Sequence, residues 1–283
     1  MKINSLSDWK KIKSKGLRRL FPSIPRLSVG LGSCGIAAGA EGVYRALKKV
    51  STKKNLDILV TKTGCLGFCG EEPLLNLVRP HSPLLVFHRV TEEDAKQIIE
   101  KLADNEVYEQ KILCKIEGME NVIDSEGIIF GHGFSLTPHF YEIPFYKKQR
   151  KIVLRESGLI DPESIDEFIA VGGYSTLIKT LSTLSPEEVL KTIHDAGLRG
   201  RGGAGFPTAL KWEIARKAKS DKKYIVCNAD EGDPGAYMNR NEMESDPHML
   251  LEGMIIGAYA IGADEGIIYV RTEYPLAIER LRI

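Results

Sequence analysis

The stretch from Lys223 to Val270 constrains the fold more than any other part of this chain. "KYIVCNA" and "GIIYV" have strand character, the first buried-looking, and between them lies the long apolar run "HMLLEGMIIGAYAIGA". Two strands joined through a helix run parallel, and a parallel sheet carries helices packed on it. The back half is therefore α/β. Upstream, Ser185, Pro186 and Glu188 open the helix "PEEVLKTIHDA" with a cap, a first-turn proline and a glutamate three residues after the serine. Gly197 closes it as a C-terminal glycine should, and "PTALKWEIARKAK" reads as the next helix.

Between those helices lies "LRGRGGAGFPTALKW", in which Gly200, Gly202 and Gly205 spell G-x-G-x-x-G. A Rossmann loop leaves a strand, enters a helix and is followed about 20 residues on by an acidic ribose-binding residue. Here a helix comes first and Pro207 follows two residues after the last glycine, so the Rossmann reading loses. The physics of an anion cradle survives. Glycines let backbone amides converge on an anion, and the helix starting near Thr208 adds its positive dipole end. Arg199 and Arg201 add charge, with Gly203 among them; an ordinary glycine-rich connection between helices is the bland alternative. The strand "KYIVCN" then ends in "NADEGDPGAY", bringing Asn228, Asp230, Glu231 and Asp233 together. The carboxyl end of a parallel strand is where ligands sit in open α/β sheets. A solvated acidic turn is the alternative, and the spacing lacks the closing glutamate of a calcium-binding EF-hand loop. Loop and strand end together make a nucleotide or flavin site, with Cys227 read as packing.

The front half forms a smaller alternating unit: strand "RLSVG", helix "AEGVYRALKKV" with Val43, Ala46 and Leu47 on one face, strand "LDILVTK", then "LLNLV" and "LLVFH" across the turn "RPHSP". "TEEDAKQIIEKLAD" closes it, Thr91 and Asp94 being spaced as a capping box. The order βαβββα describes a small α/β layer structure. We divide the chain into an N-terminal arm or helix (1–26), this first domain (27–105), a linker (106–150) and a second domain (151–283).

The 283 residues, 43% hydrophobic, suffice for one large domain or two ordinary ones. A formal net charge of +1 gives no footprint for nucleic acid. No apolar run approaches the roughly 20 residues that span a bilayer, so no direct membrane insertion is expected. The basic N-terminus lacks the apolar core of a secretory signal. Five cysteines, an odd number, argue for reduced thiols or metal ligands over a disulfide framework. These features fit a soluble cytoplasmic protein.

"GLRGRGGAGFPTALKW" followed by "CNADEGDPGAY" closely resembles the NADH-oxidising flavoprotein subunit of respiratory complex I and the diaphorase subunits of NAD-linked iron hydrogenases and formate dehydrogenases. The resemblance runs through "IPFYKKQRKIVLRESGLIDPESIDEFIAVGGY" to "EYPLAIERL", almost continuously over 140–283. It implies a complex I flavoprotein-type fold, Rossmann-like but not Rossmann. It implies that Gly200, Arg201, Gly202, Gly203 and Gly205, with Asn228 and Asp230, hold FMN. Phe206 and Lys211 would contact NADH, with Glu231 in the same acidic pocket. Asp233 stands where complex I members usually carry glutamate, although the diaphorases commonly read "DEGDPG" as here. The implied activity is hydride transfer from NADH to FMN and one-electron relay to iron–sulfur centres of a hydrogenase, formate dehydrogenase or complex I-like assembly. No side chain is implied as acid or base.

Cys65 and Cys69 in "TGCLGFCGEEP", with Cys34 in "GLGSCGIAAGA", resemble the thioredoxin-like [2Fe-2S] ferredoxin domain often fused to such diaphorases. Four thiolates are normal for that cluster; the family's upstream pair is C-x4-C, of which Cys34 alone is present, and Cys114 lies outside the unit. A cluster with an unusual fourth ligand, a docking domain that has lost its cluster, and a redox thiol pair are three competing readings. His81 and His88 read as surface polar residues. The chain stops at "RLRI", where relatives continue into the rest of the nucleotide-binding fold and a [4Fe-4S] domain. This suggests a truncated or split diaphorase, with a non-catalytic docking or assembly fragment as the alternative function.

Overall fold

The computed structural model describes residues 6–120 and 128–283, which fall into two compact units. The first comprises 1–172, 237–247 and 275–283, and the second 173–236 and 248–274.

The first unit opens with helix α1 (Leu6–Leu20), followed by β1 (Arg26–Gly30), α2 (Ser33–Ala37), α3 (Ala40–Lys53) and β2 (Leu59–Thr63). Next come β3 (Leu75–Val78), β4 (Leu84–Phe87), α4 (Glu92–Ala103) and β5 (Ile112–Ile116). The strands form one sheet in the order β2-β1-β3-β4-β5. β1 and β2, joined through α3, are parallel; β3, β4 and β5 follow antiparallel. Its first four strands and the helices α3 and α4 make the small α/β layer that the order βαβββα predicts. Alternation along each strand divides the sheet chemically. Leu27, Val29, Leu75, Leu77, Leu85 and Phe87 meet Val43 and Leu47 of α3 and Ile98 and Ile99 of α4 in the apolar core. The capping box at α4 is formed, Thr91 Oγ1 accepting from Asp94 N at 3.1 Å and Asp94 Oδ2 accepting from Thr91 N at 2.8 Å.

The described residues of the segment read as a linker instead carry regular structure. Ile112–Ile116 adds the fifth strand, placing Cys114 opposite Val86 in the sheet with no exposed surface. The strands β6 (Gly118–Glu120) and β7 (Ile128–Phe130) pair with each other, and α5 (Ile165–Ala170) follows. The sheet's second face is polar on β1, on β2 and at Asn76 of β3, and this part is covered by residues that follow position 150. Thr61 Oγ1 donates to Asp161 at 3.1 Å, Thr63 Oγ1 to the Ile160 carbonyl at 2.8 Å, and Asn76 Nδ2 to the Gly158 carbonyl. Buried Arg26 donates to buried Glu167 at 2.9 Å, and Arg19 of α1 reaches the same carboxylate at 2.7 Å. At Gly16, α1 packs so closely on α5 that a Cβ would run into the Asp166 carbonyl. These contacts bind α1 and residues 156–170 to the first unit.

The second unit contains α6 (Ser175–Thr183), α7 (Pro186–Asp195), α8 (Thr208–Lys217) and β8 (Tyr224–Ala229). Chain order then gives α9 (Met238–Ser245), α10 (Pro247–Ile261), β9 (Glu265–Val270) and α11 (Pro275–Arg282). Of these, α9 and α11 belong to the first unit. β8 and β9 pair in parallel from Tyr224↔Glu265 to Ala229↔Val270, as the strand–helix–strand order requires. Gly257 of α10 lets Ile225 of β8 and Trp212 of α8 close to about 3.3 Å of where its Cβ would lie. Buried Glu252 of α10 accepts from Tyr174 N and Leu177 N, capping α6 from outside. The capping box at Ser185 and Glu188 starts α7, with Pro186 in its first turn.

Candidate functional site

α7 ends at Gly197 in the left-handed region, φ +62°. The following loop closes on itself: Gly200 N donates to the Phe206 carbonyl at 2.9 Å, and Thr208 N to the Leu198 carbonyl at 3.0 Å. Arg199 Nη1 donates to the Gly205 carbonyl at 3.0 Å, so one predicted cation clamps the loop. Gly203 at φ +99° and Gly205 at φ +62° need glycine for their backbone. Gly202 has no such need. A Cβ at Gly202, Gly203 or Gly205 would meet nothing within 4 Å, so packing does not account for these glycines. Open space above a glycine-lined backbone suits close approach by an external group, and the residues fit an FMN phosphate on this ground. Pro207 supplies no side-chain cap to α8. Arg201, Phe206 and Lys211 are exposed.

At the end of β8, Asn228 Oδ1 accepts from Asp230 N at 3.0 Å, fixing the turn. Asp230 and Asp233 are exposed, whereas Glu231 is buried, its Oε2 accepting from Tyr274 Oη at 3.3 Å. The reading missed Arg271, which donates to the Glu231 carbonyl at 2.6 Å and lies 4.0 Å from Asp230. The signal was present: Val270 pairs with Ala229, so Arg271 leaves the neighbouring parallel strand at the same end.

Glycine loop and strand end share one end of this layer. Trp212 and Ile225 both approach Gly257, and Lys223 Nζ donates to the Arg216 carbonyl at 2.6 Å. α8 therefore runs antiparallel to β8, so its start and the strand's carboxyl end point the same way. "KYIVCNA" does not prove buried. Tyr224 and Val226, with Ile267 and Tyr269 of β9, are 45–63% exposed, since the two-stranded sheet has one face uncovered.

The three predicted cysteines assemble in the first unit. Cys34 lies in α2, Cys65 just after β2, and Cys69 begins a 3-10 turn; the Cys34 and Cys65 thiols each hydrogen-bond with Cys69. They line a cavity of about 260 Å³ with Lys151, Arg240 and Glu244. Arg240 Nη2 approaches Cys34 Sγ at 3.5 Å, and Glu244 accepts from Ser33 N and Oγ at 2.8 and 2.6 Å. Hydrogen bonding by Cys65 lowers Cys69 to about 5, while burial raises Cys34 to about 11. Burial raises Cys114 to about 12. Three thiols beside a guanidinium do not make a four-thiolate set, and among the described residues no group of three or more His, Cys, Asp or Glu could hold a metal ion. The residues present do not fit a [2Fe-2S] cluster. Arg240 and Glu244 could not be anticipated, since some 200 residues separate them from Cys34. His88 is half-buried against Glu71, and His81 lies in the β3–β4 turn.

The site thus consists of a glycine loop between two helices and a parallel strand that ends in Asn-Ala-Asp-Glu. Residues 193–283 match the family model described as the Nuo51 FMN-binding domain. Among relatives, the NADP-reducing hydrogenase subunit HndC of Solidesulfovibrio fructosivorans is 58% identical over 136 residues, covering 48% of this chain and 27% of HndC. An NADH-quinone oxidoreductase subunit of Rhizobium meliloti is 45% identical over 130 residues, covering 46% of this chain and 31% of its own. The chain thus spans about a third or less of these relatives' lengths. A solved NAD+-reducing [NiFe]-hydrogenase in the H2-reduced state aligns over 98% of this chain and 42% of its own, at 23% identity and a TM-score of 0.38. No described helix is long and apolar enough to cross a membrane.

Proposed function

We propose that the second unit is the FMN- and nicotinamide-binding part of an NADH dehydrogenase (diaphorase) module. One observation carries the reading: glycines with open space above them begin the helix whose antiparallel neighbour strand ends at Asn228 and Asp230. In this reading the loop amides, the uncapped first turn of α8 and Arg201 bind the phosphate. Asn228 and Asp230 take the flavin's hydroxyl and ring groups, with Glu231 and Asp233 in the same pocket. Exposed Phe206 and Lys211 receive the nicotinamide nucleotide by stacking and charge. When bound, FMN supplies acceptance of a hydride and one-electron release to iron–sulfur centres. The chain's own task is to hold the two rings in register, because errors of about 1 Å cost such transfers heavily. The onward carriers are iron–sulfur centres of a hydrogenase, formate dehydrogenase or complex I-like assembly, any [4Fe-4S] cluster lying in a further C-terminal part of the polypeptide or in a partner subunit. The relatives' names point to both NADH and NADPH.

The test is to reconstitute the purified 283-residue chain with FMN, measure flavin released on denaturation, and assay ferricyanide reduction with NADH and with NADPH. Retained FMN with turnover supports the reading. Folded protein that stays flavin-free and inactive favours the second reading, a docking or assembly fragment. The uncovered apolar face of β8 and β9 is the observation behind that alternative.

A further inference from the structure

A cavity of about 450 Å³ lies in the first unit, over the sheet face opposite the apolar core. Its floor is Asn76, Leu84 and Val86, and Phe130, Phe140 and Tyr146 enclose it. We infer that this cavity binds an aromatic carboxylate that carries a hydroxyl or amino donor on its ring, at a site independent of the flavin.

The volume falls within the roughly 300–1,000 Å³ of small-molecule sites. Two polar atoms on its lining are unsatisfied. Asn76 is 3% exposed; its Nδ2 donates to the Gly158 carbonyl, and its Oδ1 has no partner. Ser157 is 4% exposed, and its Oγ has none. Leaving a buried polar group unmade costs about 1–3 kcal/mol, so two on one cavity point to groups that a ligand completes. Asn76 Oδ1 only accepts, so the ligand must donate there. The Phe140 and Tyr146 rings stack at 4.0 Å with Phe130 nearby, an apolar wall suited to a flat ring.

Charge sets the orientation. The buried Glu156 carboxylate lines the cavity and turns an anionic end away from itself. Arg150 and Arg155, also lining residues, are exposed and offer guanidinium groups that pair with a carboxylate. Lys151 is committed to the Leu66 carbonyl at 2.7 Å. The donor therefore sits inside at Asn76 and the carboxylate outside at the arginines.

Calorimetric titration of the full chain with para-hydroxybenzoate tests this. The expected result is saturable one-to-one binding, weakened about tenfold for para-toluate, which lacks the donor. Joint substitution Arg150→Gln and Arg155→Gln weakens para-hydroxybenzoate but leaves its uncharged methyl ester unchanged. Asn76→Leu removes the discrimination between hydroxyl and methyl. Val86→Phe, which narrows the cavity and touches no polar group, reduces binding of all three and keeps the test open should Asn76→Leu fail to fold. Lack of saturable binding, equal affinity for para-toluate, or binding unmoved by Val86→Phe overturns the inference. Flavin content is not part of the readout, so failure here leaves the diaphorase reading standing.

Discussion

At Gly202 and Gly203 one substitution tests two different physical demands. Gly203 sits at φ +99°, so Gly203→Ala should cost about 1–2 kcal/mol of stability in a urea melt. Gly202 has neither a left-handed backbone nor a neighbour within 4 Å of a Cβ. Gly202→Ala should leave stability within about 0.5 kcal/mol yet reduce retained FMN, because an added methyl stands where the phosphate approaches. Equal flavin content in Gly202→Ala and wild type would remove the cradle's purpose. Glu72 carries the pH prediction. Burial raises its carboxyl to about 7, against 4.5 when unperturbed. The folded chain therefore holds a proton between those values that the unfolded chain has released. The Glu72 contribution to stability falls as pH rises through that window, by about 3 kcal/mol, and the loss persists above it. Cys69, lowered to about 5, contributes a slope of opposite sign, so the comparison with a variant isolates Glu72. Relative to wild type, Glu72→Gln should gain stability as pH rises from 4 to 8. A difference between variant and wild type that stays constant over this window contradicts the assignment.

At the scale of elements, what binds the first unit's polar face is a buried charge network rather than apolar packing. Arg26 on β1 and Arg19 on α1 converge on Glu167 of α5. Arg26→Met leaves that carboxylate buried with only the half-exposed Arg19, so we expect about 3 kcal/mol of destabilisation. Restored stability in Arg26→Met with Glu167→Leu, by a double-mutant cycle, would assign the cost to the unpaired charge. Much of this scale was legible from local signals. The boxes at Thr91 and Ser185 fixed two helix starts, and the strand–helix–strand run dictated parallel pairing of β8 with β9. The fifth strand was not legible. "ILCKI" carries no signal that β4 has a free edge, and only the assembled sheet supplies one. Arg271 was within reach, because it follows the strand paired with β8, whereas Arg240 beside Cys34 was not.

For the whole molecule, the apolar composition of β8 misled. Val, Ile and Tyr in a parallel strand imply cover on both faces, and composition does not say which chain provides it. Here Val226, Ile267 and Tyr269 face outward. The same scale explains why the cysteine motif read as a ferredoxin signature while the assembled thiols lack a fourth ligand: motif spacing records ancestry, and ligation requires a complete set in space.

The first unit is not an N-terminal piece of the chain. Its thiol cavity depends on Arg240 and Glu244, and Arg280 of α11 reaches back to the Leu31 carbonyl at 2.7 Å and to the Glu244 carbonyl. During synthesis, domains ordinarily fold in the order in which they emerge from the ribosome. This one must wait. Its sheet can form early, but α9 arrives only after residues 173–236 of the second unit, and α11 after the whole of that unit. The nascent chain therefore carries an unfinished cysteine-lined surface for most of its elongation.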